Sequence, residues 1–270
     1  VRHERASADG YSCVLIPGVH ATADAERLAA EIAFSAGRLR LLHEDPPGLY
    51  GAVRALAGED ADGAARACFL IAYLSPCEDE EPFAAIDATI AGGEQVLAGL
   101  EGSQLGPRSS HDPARGAQTL AAYERVVAQA GGARAAFTGD PSWTATRRFE
   151  RLFERLALPG FTRTARYELL VLLGALAAYE LRADSLHLGG ARGAATNDHT
   201  MLAAKRIFAI GDAINLERRA AAFASEVGLE PAALELALWN FFSTERATLG
   251  FPADTREGSV SARARAALAL

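Results

Sequence analysis

Arg163 and Arg166 follow a Pro159-Gly160 pair that separates two helical patterns, WTATRRFERLFERLA and RTARYELLVLLGALAAYE. Proline disfavours the α conformation in the residue before it, so the first helix must end by Leu158. Gly160 admits positive φ, and the next helix begins near Arg163 or Thr164. Unsatisfied amides and the positive end of a helix dipole then meet at the turn, flanked by two guanidinium groups, which is a phosphate-binding corner. The same residues also read as a plain αα-hairpin of a helical domain.

Other chemistry-bearing residues are scattered. Asp198 stands before the helical pattern HTMLAAKRIFAIGD, where an ordinary N-cap accounts for it. Lys205 and Arg206 follow on the next turns and face either a phosphate or solvent. Tyr73 and Tyr167 read as packed aromatics with a hydroxyl at a pocket rim, or as stacking platforms for an extruded base. Trp239 and Asn240, in LALWNFF, belong to a pocket floor or to a buried amphipathic helix. His111, His187 and His199 lack metal-ligand spacing, so neither a metal nor any other cofactor is expected.

The elements that must position these residues are helical. The chain is rich in Ala, Leu, Arg and Glu and poor in β-branched runs, which predicts an all-α fold. In WTATRRFERLFERLA, Phe149, Leu152, Phe153 and Leu156 share one face at core spacing while the arginines lie mainly on the other. A mobile polar start over residues 1–10 is expected. YSCVLIPG then reads as a short strand or buried extended piece, and PFAAIDATIAGGEQVLAGL as one or two helices with a Gly-Gly break. The Pro, Gly, Ser and Arg-rich stretch from Ser103 to Ala117 reads as a linker, dividing an N-terminal helical part (11–117) from a part over 118–270, with the two able to form one two-lobed unit.

Net charge is −7, which disfavours indiscriminate attraction to nucleic acid. Yet between Trp143 and Glu168 six arginines stand against three glutamates, so positive charge gathers around the hairpin. The longest apolar stretch, Leu169–Tyr179, is about half of what a bilayer needs, and VRHERASADG has no apolar signal core. A soluble, cytoplasmic protein without a membrane partner is expected. Cys13, Cys68 and Cys77 show no CxxC spacing and read as small buried residues in a reducing compartment.

LPGFTR, an apolar helix, and then an aspartate opening NDHTMLAAKRIFAIGD resemble the helix-hairpin-helix DNA glycosylase superfamily, whose pattern is Leu-Pro-Gly-apolar-Gly, a helix and a catalytic Asp at a helix start. The likeness spans roughly Ala64 to Phe242, with CFLIAYLSP standing where the family has an apolar helix ending in a Ser-containing turn beside its base pocket. LPGFTRTARYELLVLLG, YELRADSLHLG, TMLAAKRIFAIGD and LALWNFF are more narrowly similar to a divergent branch, the α-glutamyl/putrescinyl thymine pyrophosphorylases.

The resemblance implies a glycosylase-like helical fold, DNA as partner and a base-processing role, repair or modification of a pyrimidine among them. It implies a catalytic role for Asp198 and DNA contacts from Gly160, Phe161, Thr162, Arg163, Thr164 and Arg166. A non-catalytic DNA-binding or scaffold protein that keeps the hairpin is the alternative. Three departures follow. Thr162 replaces the second glycine of the hairpin and is expected to restrict it. Gly160 and Asp198 are 38 positions apart, longer than the family's usual gap, which predicts a small β-hairpin or loop near 179–197. Thr164 stands where bifunctional members carry a lysine nucleophile, so no strand-cleaving Schiff base is expected.

Overall fold

A computed structural model of the chain describes residues 6–177, 179–189 and 198–270. Among them there are α-helices and no strand. The helices group into two compact units that the linear sequence does not separate. One unit comprises Val1–Leu41, Ala183–Arg246 and Pro252–Leu270; the other comprises Leu42–Arg182 and Ala247–Phe251.

The unit starting at Leu42 holds α2 (Gly48–Leu56), α3 (Ala61–Leu74), α4 (Ala84–Ala98), α5 (Gly116–Ala130), α6 (Ala133–Thr138), α7 (Ala145–Arg155) and α8 (Arg163–Leu176). α3 is apolar nearly all round, so it must be central, and it is buried from Ala64 to Leu74 except at Arg66. Asp60 starts it by accepting from the Gly63 amide. α3 packs on α8, and the Phe69 ring stacks on Tyr123 at 4.2 Å. The Gly-Gly break in α4 is a kink, with Gly93 at φ +67°. α7 buries Phe149, Leu152 and Phe153 and exposes Arg147, Glu150, Arg151, Glu154 and Arg155, as its spacing predicts.

The other unit holds all of α1 (Thr22–Glu44) but its last turn, with α9 (His199–Phe208), α10 (Ala213–Val227), α11 (Pro231–Phe242) and α12 (Gly258–Ala267). α9 packs on α11, which takes Pro231 at its first turn, where a missing N–H costs nothing. Buried charges here are paired: Arg206 reaches Asp24 at 2.6 Å, and Glu31 accepts from Asn240 at 2.9 Å and pairs with Arg246 at 2.9 Å.

Three expectations change. The Ser103–Ala117 stretch does not divide the chain, because its amides are spent on the end of α3: Gly106 donates to Ser75 O at 2.9 Å and Ser110 to Tyr73 O at 2.9 Å. A Cβ on Gly106 would lie 1.9 Å from Pro76 O, so only glycine allows this approach. YSCVLIPG forms turns rather than a strand, with Ile16 buried and Val14 exposed. Residues 179–189 form no strand; Glu217 accepts from the Leu186 and Leu188 amides and holds this segment as a loop. The rest of the expected hairpin, 190–197, lies outside the described residues. No helix among the described residues is long and apolar enough to cross a membrane.

Candidate functional site

α7 and α8 are joined by a tight turn. The Leu158 amide donates to Leu156 O at 2.7 Å and the Phe161 amide to Leu158 O at 3.1 Å. Gly160 sits at φ +73°, and a Cβ there would come within 2.6 Å of Thr119 Oγ1, so both backbone and space require glycine. Behind the turn, Thr119 on α5 donates to Pro159 O at 2.8 Å, and the Phe161 ring packs on Phe69 at 5.1 Å. Pro159 and Thr162 remain exposed and form the outer edge.

Thr162 is not a weakened glycine. Its φ of −65° and ψ of 163° suit any residue, and its side chain caps α8 by accepting from the Ala165 amide at 3.3 Å. Ser110 Oγ lies 2.5 Å from the same oxygen, which ties the loop after α4 to the hairpin. The restriction expected from Thr162 therefore does not arise, because this position never visits the left-handed region.

The two arginines lie differently from the sequence expectation. Arg163 is 5% exposed and Arg166 4%. Arg166 donates to Phe153 O at 3.1 Å with its guanidinium 4.4 Å from the Phe153 ring centroid, and Arg163 reaches Thr164 Oγ1 at 3.4 Å and stands 6.0 Å from the Tyr167 ring. Burial, with Arg163 beside it, draws Arg166 below the ordinary guanidinium value. As placed, these buried side chains brace the start of α8 rather than flank the turn at the surface. Thr164 is also buried.

Tyr73 and Tyr167 are core residues, without an exposed ring face for a base to stack on. Tyr73 stacks on Phe69 at 5.5 Å, and Tyr167 meets Phe149 edge-on at 5.3 Å.

Beneath the start of α8 lies a narrow cleft that motif reading did not assemble. Tyr50, Ser75, Arg108, Thr164, Glu168 and Leu249 line it, and it is too tight for a water molecule. Ser75 ends α3 at φ 57° and ψ 131°, a conformation costing about 1–3 kcal/mol for a residue with a side chain. Its Oγ is buried with no hydrogen-bond partner among the described residues. Strain and an unmet hydroxyl thus meet at Ser75, in a cleft that the buried Arg108 and Glu168 also line. The available signal was Glu168, a lone carboxylate inside an apolar helix; Arg108 was hidden in a stretch whose composition resembles a linker.

Asp198 belongs to the other unit, where it caps α9 by accepting from the Met201 amide at 3.1 Å. It is half-buried. The neighbouring His199 ring packs on Trp239 at 5.2 Å, and Thr200 donates to Glu235 at 2.9 Å. Lys205 is exposed. Arg206 is committed to Asp24 and lies 5.2 Å from the Phe241 ring, which leaves it a structural ion pair rather than a phosphate contact. Asn240 is likewise held by Glu31 in the interior, so it does not face a ligand.

His111 adds a titratable element behind the hairpin. Its ring meets Tyr73 edge-on at 5.6 Å, and both ring nitrogens are buried without a hydrogen-bond partner among the described residues. Desolvation lowers its pKa from 6.5, and Asp112 only partly opposes this. A folded value below the unfolded one means that His111 favours folding fully above about pH 6.5, and that this contribution is lost as pH falls through the unfolded value toward the folded one. His111→Phe is therefore expected to show a smaller drop in unfolding free energy than wild type between about pH 7.5 and 5.5, measured by urea denaturation. An equal drop in both proteins would assign the acid sensitivity to other groups.

Among the described residues no group of three or more His, Cys, Asp and Glu is gathered as a metal ion would require. Comparison of the chain with protein-family models, with curated proteins and with solved structures gives no match.

Proposed function

We propose that this protein binds DNA through the α7–α8 hairpin and processes a pyrimidine base, excising or modifying it without cleaving the strand. The observation that carries the reading is the turn itself. Left-handed Gly160, exposed Pro159 and the exposed Thr162 cap put the edge of the turn leading into α8 at the surface, and Thr119 and Ser110 fix it from behind. A prepositioned helix N-terminus is a site for a backbone phosphate. Asp198 is the candidate charge for stabilising a cationic sugar or orienting an attacking group. With a hydroxyl at Thr164, covalent imine chemistry is not available there.

A glycosylase assay on duplexes carrying damaged or hypermodified pyrimidines, followed for free base and for transfer products, tests the activity. Release or transfer without strand nicking is expected; no product together with no binding to the same duplexes at low salt would sink the reading. The Asp198 cap favours a second reading, a non-catalytic DNA-binding or scaffold protein, because the Met201 amide gives that carboxylate a structural role. DNA binding with no product from any duplex would select it.

A further inference from the structure

We propose that the exposed face of α7, carrying Arg147, Arg151 and Arg155, is a phosphate-tracking surface for duplex DNA that runs into the hairpin; the inference rests on the DNA reading above. Three of the six arginines between Trp143 and Glu168 are buried: Arg148, Arg163 and Arg166. The other three are exposed. They recur every fourth residue, so they line one side of the helix at steps of about 6 Å.

This stripe cannot turn inward, because Phe149, Leu152 and Phe153 anchor the opposite face in the core. Nor is it consumed by the protein's own groups. Among the described residues Arg155 forms no ion pair, Arg147 has only the fully exposed Asp140 carboxylate nearby and no direct pair with it, and Arg151 meets only Glu154 at 3.2 Å. That pair is half-exposed on both sides, so it is weak and exchangeable. α7 ends at Arg155, and the turn to Gly160 follows directly, which places the stripe on the same rigid piece as the helix start proposed to hold a phosphate. Glu150 and Glu154 stand along one side of it, so the exposed face of α7 carries three arginines against two glutamates, a local positive excess on a chain of net charge −7.

The test is the salt dependence of binding to a 20-base-pair duplex between about 50 and 200 mM salt. Compared are wild type, the triple variant Arg147→Gln/Arg151→Gln/Arg155→Gln, and a control, Arg218→Gln/Arg219→Gln, which removes exposed charge from α10 in the other unit. The triple variant should lose at least about tenfold in affinity at low salt, and its log K against log salt slope should shrink by about 2–3. The control should keep the wild-type slope. Glu154→Gln, which releases Arg151, should bind more tightly than wild type.

A triple variant with the wild-type slope would overturn this inference while leaving the DNA reading in place; so would a control that lowers the slope as much. Wild type that fails to bind the duplex at about 50 mM salt would overturn both. Thermal melting of the triple variant within a few degrees of wild type establishes that lost binding is not lost folding.

Discussion

Arg148→Ala should cost about 3–4 kcal/mol of stability, the largest loss expected from any single arginine of the hairpin region. Arg148 is 4% exposed, and its guanidinium is spent on the chain itself. Nε donates to Thr138 O at 2.6 Å, Nη1 to Glu180 O at 2.9 Å and Nη2 to Trp143 O at 3.1 Å. One planar fork thus joins the end of α6, the segment before α7 and the segment after α8. Truncation removes three part-buried hydrogen bonds from a charged donor, each worth about 1.5–3 kcal/mol, and water reaching the exposed Thr138 and Glu180 and the half-buried Trp143 reduces the sum. The ion pair to the Glu180 carboxylate adds little, since Glu180 is 81% exposed. Arg148→Lys should recover only a minor part, because a single ammonium cannot address three directions at once. Arg147→Ala, one residue earlier and exposed, should stay within about 0.5 kcal/mol of wild type. Urea unfolding of the three variants decides it: a loss below about 1 kcal/mol for Arg148→Ala would mean that the carbonyls find water without penalty.

The contrast between Arg147 and Arg148 shows where sequence reading succeeds and where it stops. Apolar spacing located the buried face of α7, and the Pro159-Gly160 pair located the turn, because both are local constraints on backbone and packing. The arginines are ambiguous by nature. A guanidinium on a long stem satisfies itself equally well in water or on carbonyls brought close by distant segments. Arg148, Arg163 and Arg166 take the second course, and nothing local to RRFERLFERLALPGFTRTAR announces it. The loop from Gly106 to Ser110 was opaque for a related reason: Gly, Pro and Ser signal irregular backbone, but not whether its amides meet solvent or, as here, the carbonyls of Tyr73 and Ser75. The cleft beneath α8 depends on that loop for Arg108, so it became visible only with the tertiary structure. The division into units was hidden too, since α1 groups with α9–α12 across more than a hundred intervening residues.

Asp198→Asn is expected to reduce base release or transfer by at least about 10²-fold, close to 3 kcal/mol of transition-state stabilisation, while leaving the fold nearly untouched. The separation is possible because the cap and the proposed chemical role of Asp198 differ in what they need. Capping α9 requires an oxygen that accepts from the Met201 amide at 3.1 Å, and Asn supplies one about as well as Asp. Stabilising a developing positive charge requires the carboxylate itself, which an amide cannot replace. Asp198→Ala removes both, so it should lose the same activity and about 1 kcal/mol of stability besides. Thermal melts and product formation by the three proteins, measured side by side, therefore resolve roles that the N-cap geometry alone superimposes. An Asn variant with full activity and unchanged melting would assign Asp198 to the cap, and the chemistry would then have to lie elsewhere, with the strained Ser75 and buried Glu168 the next residues to substitute.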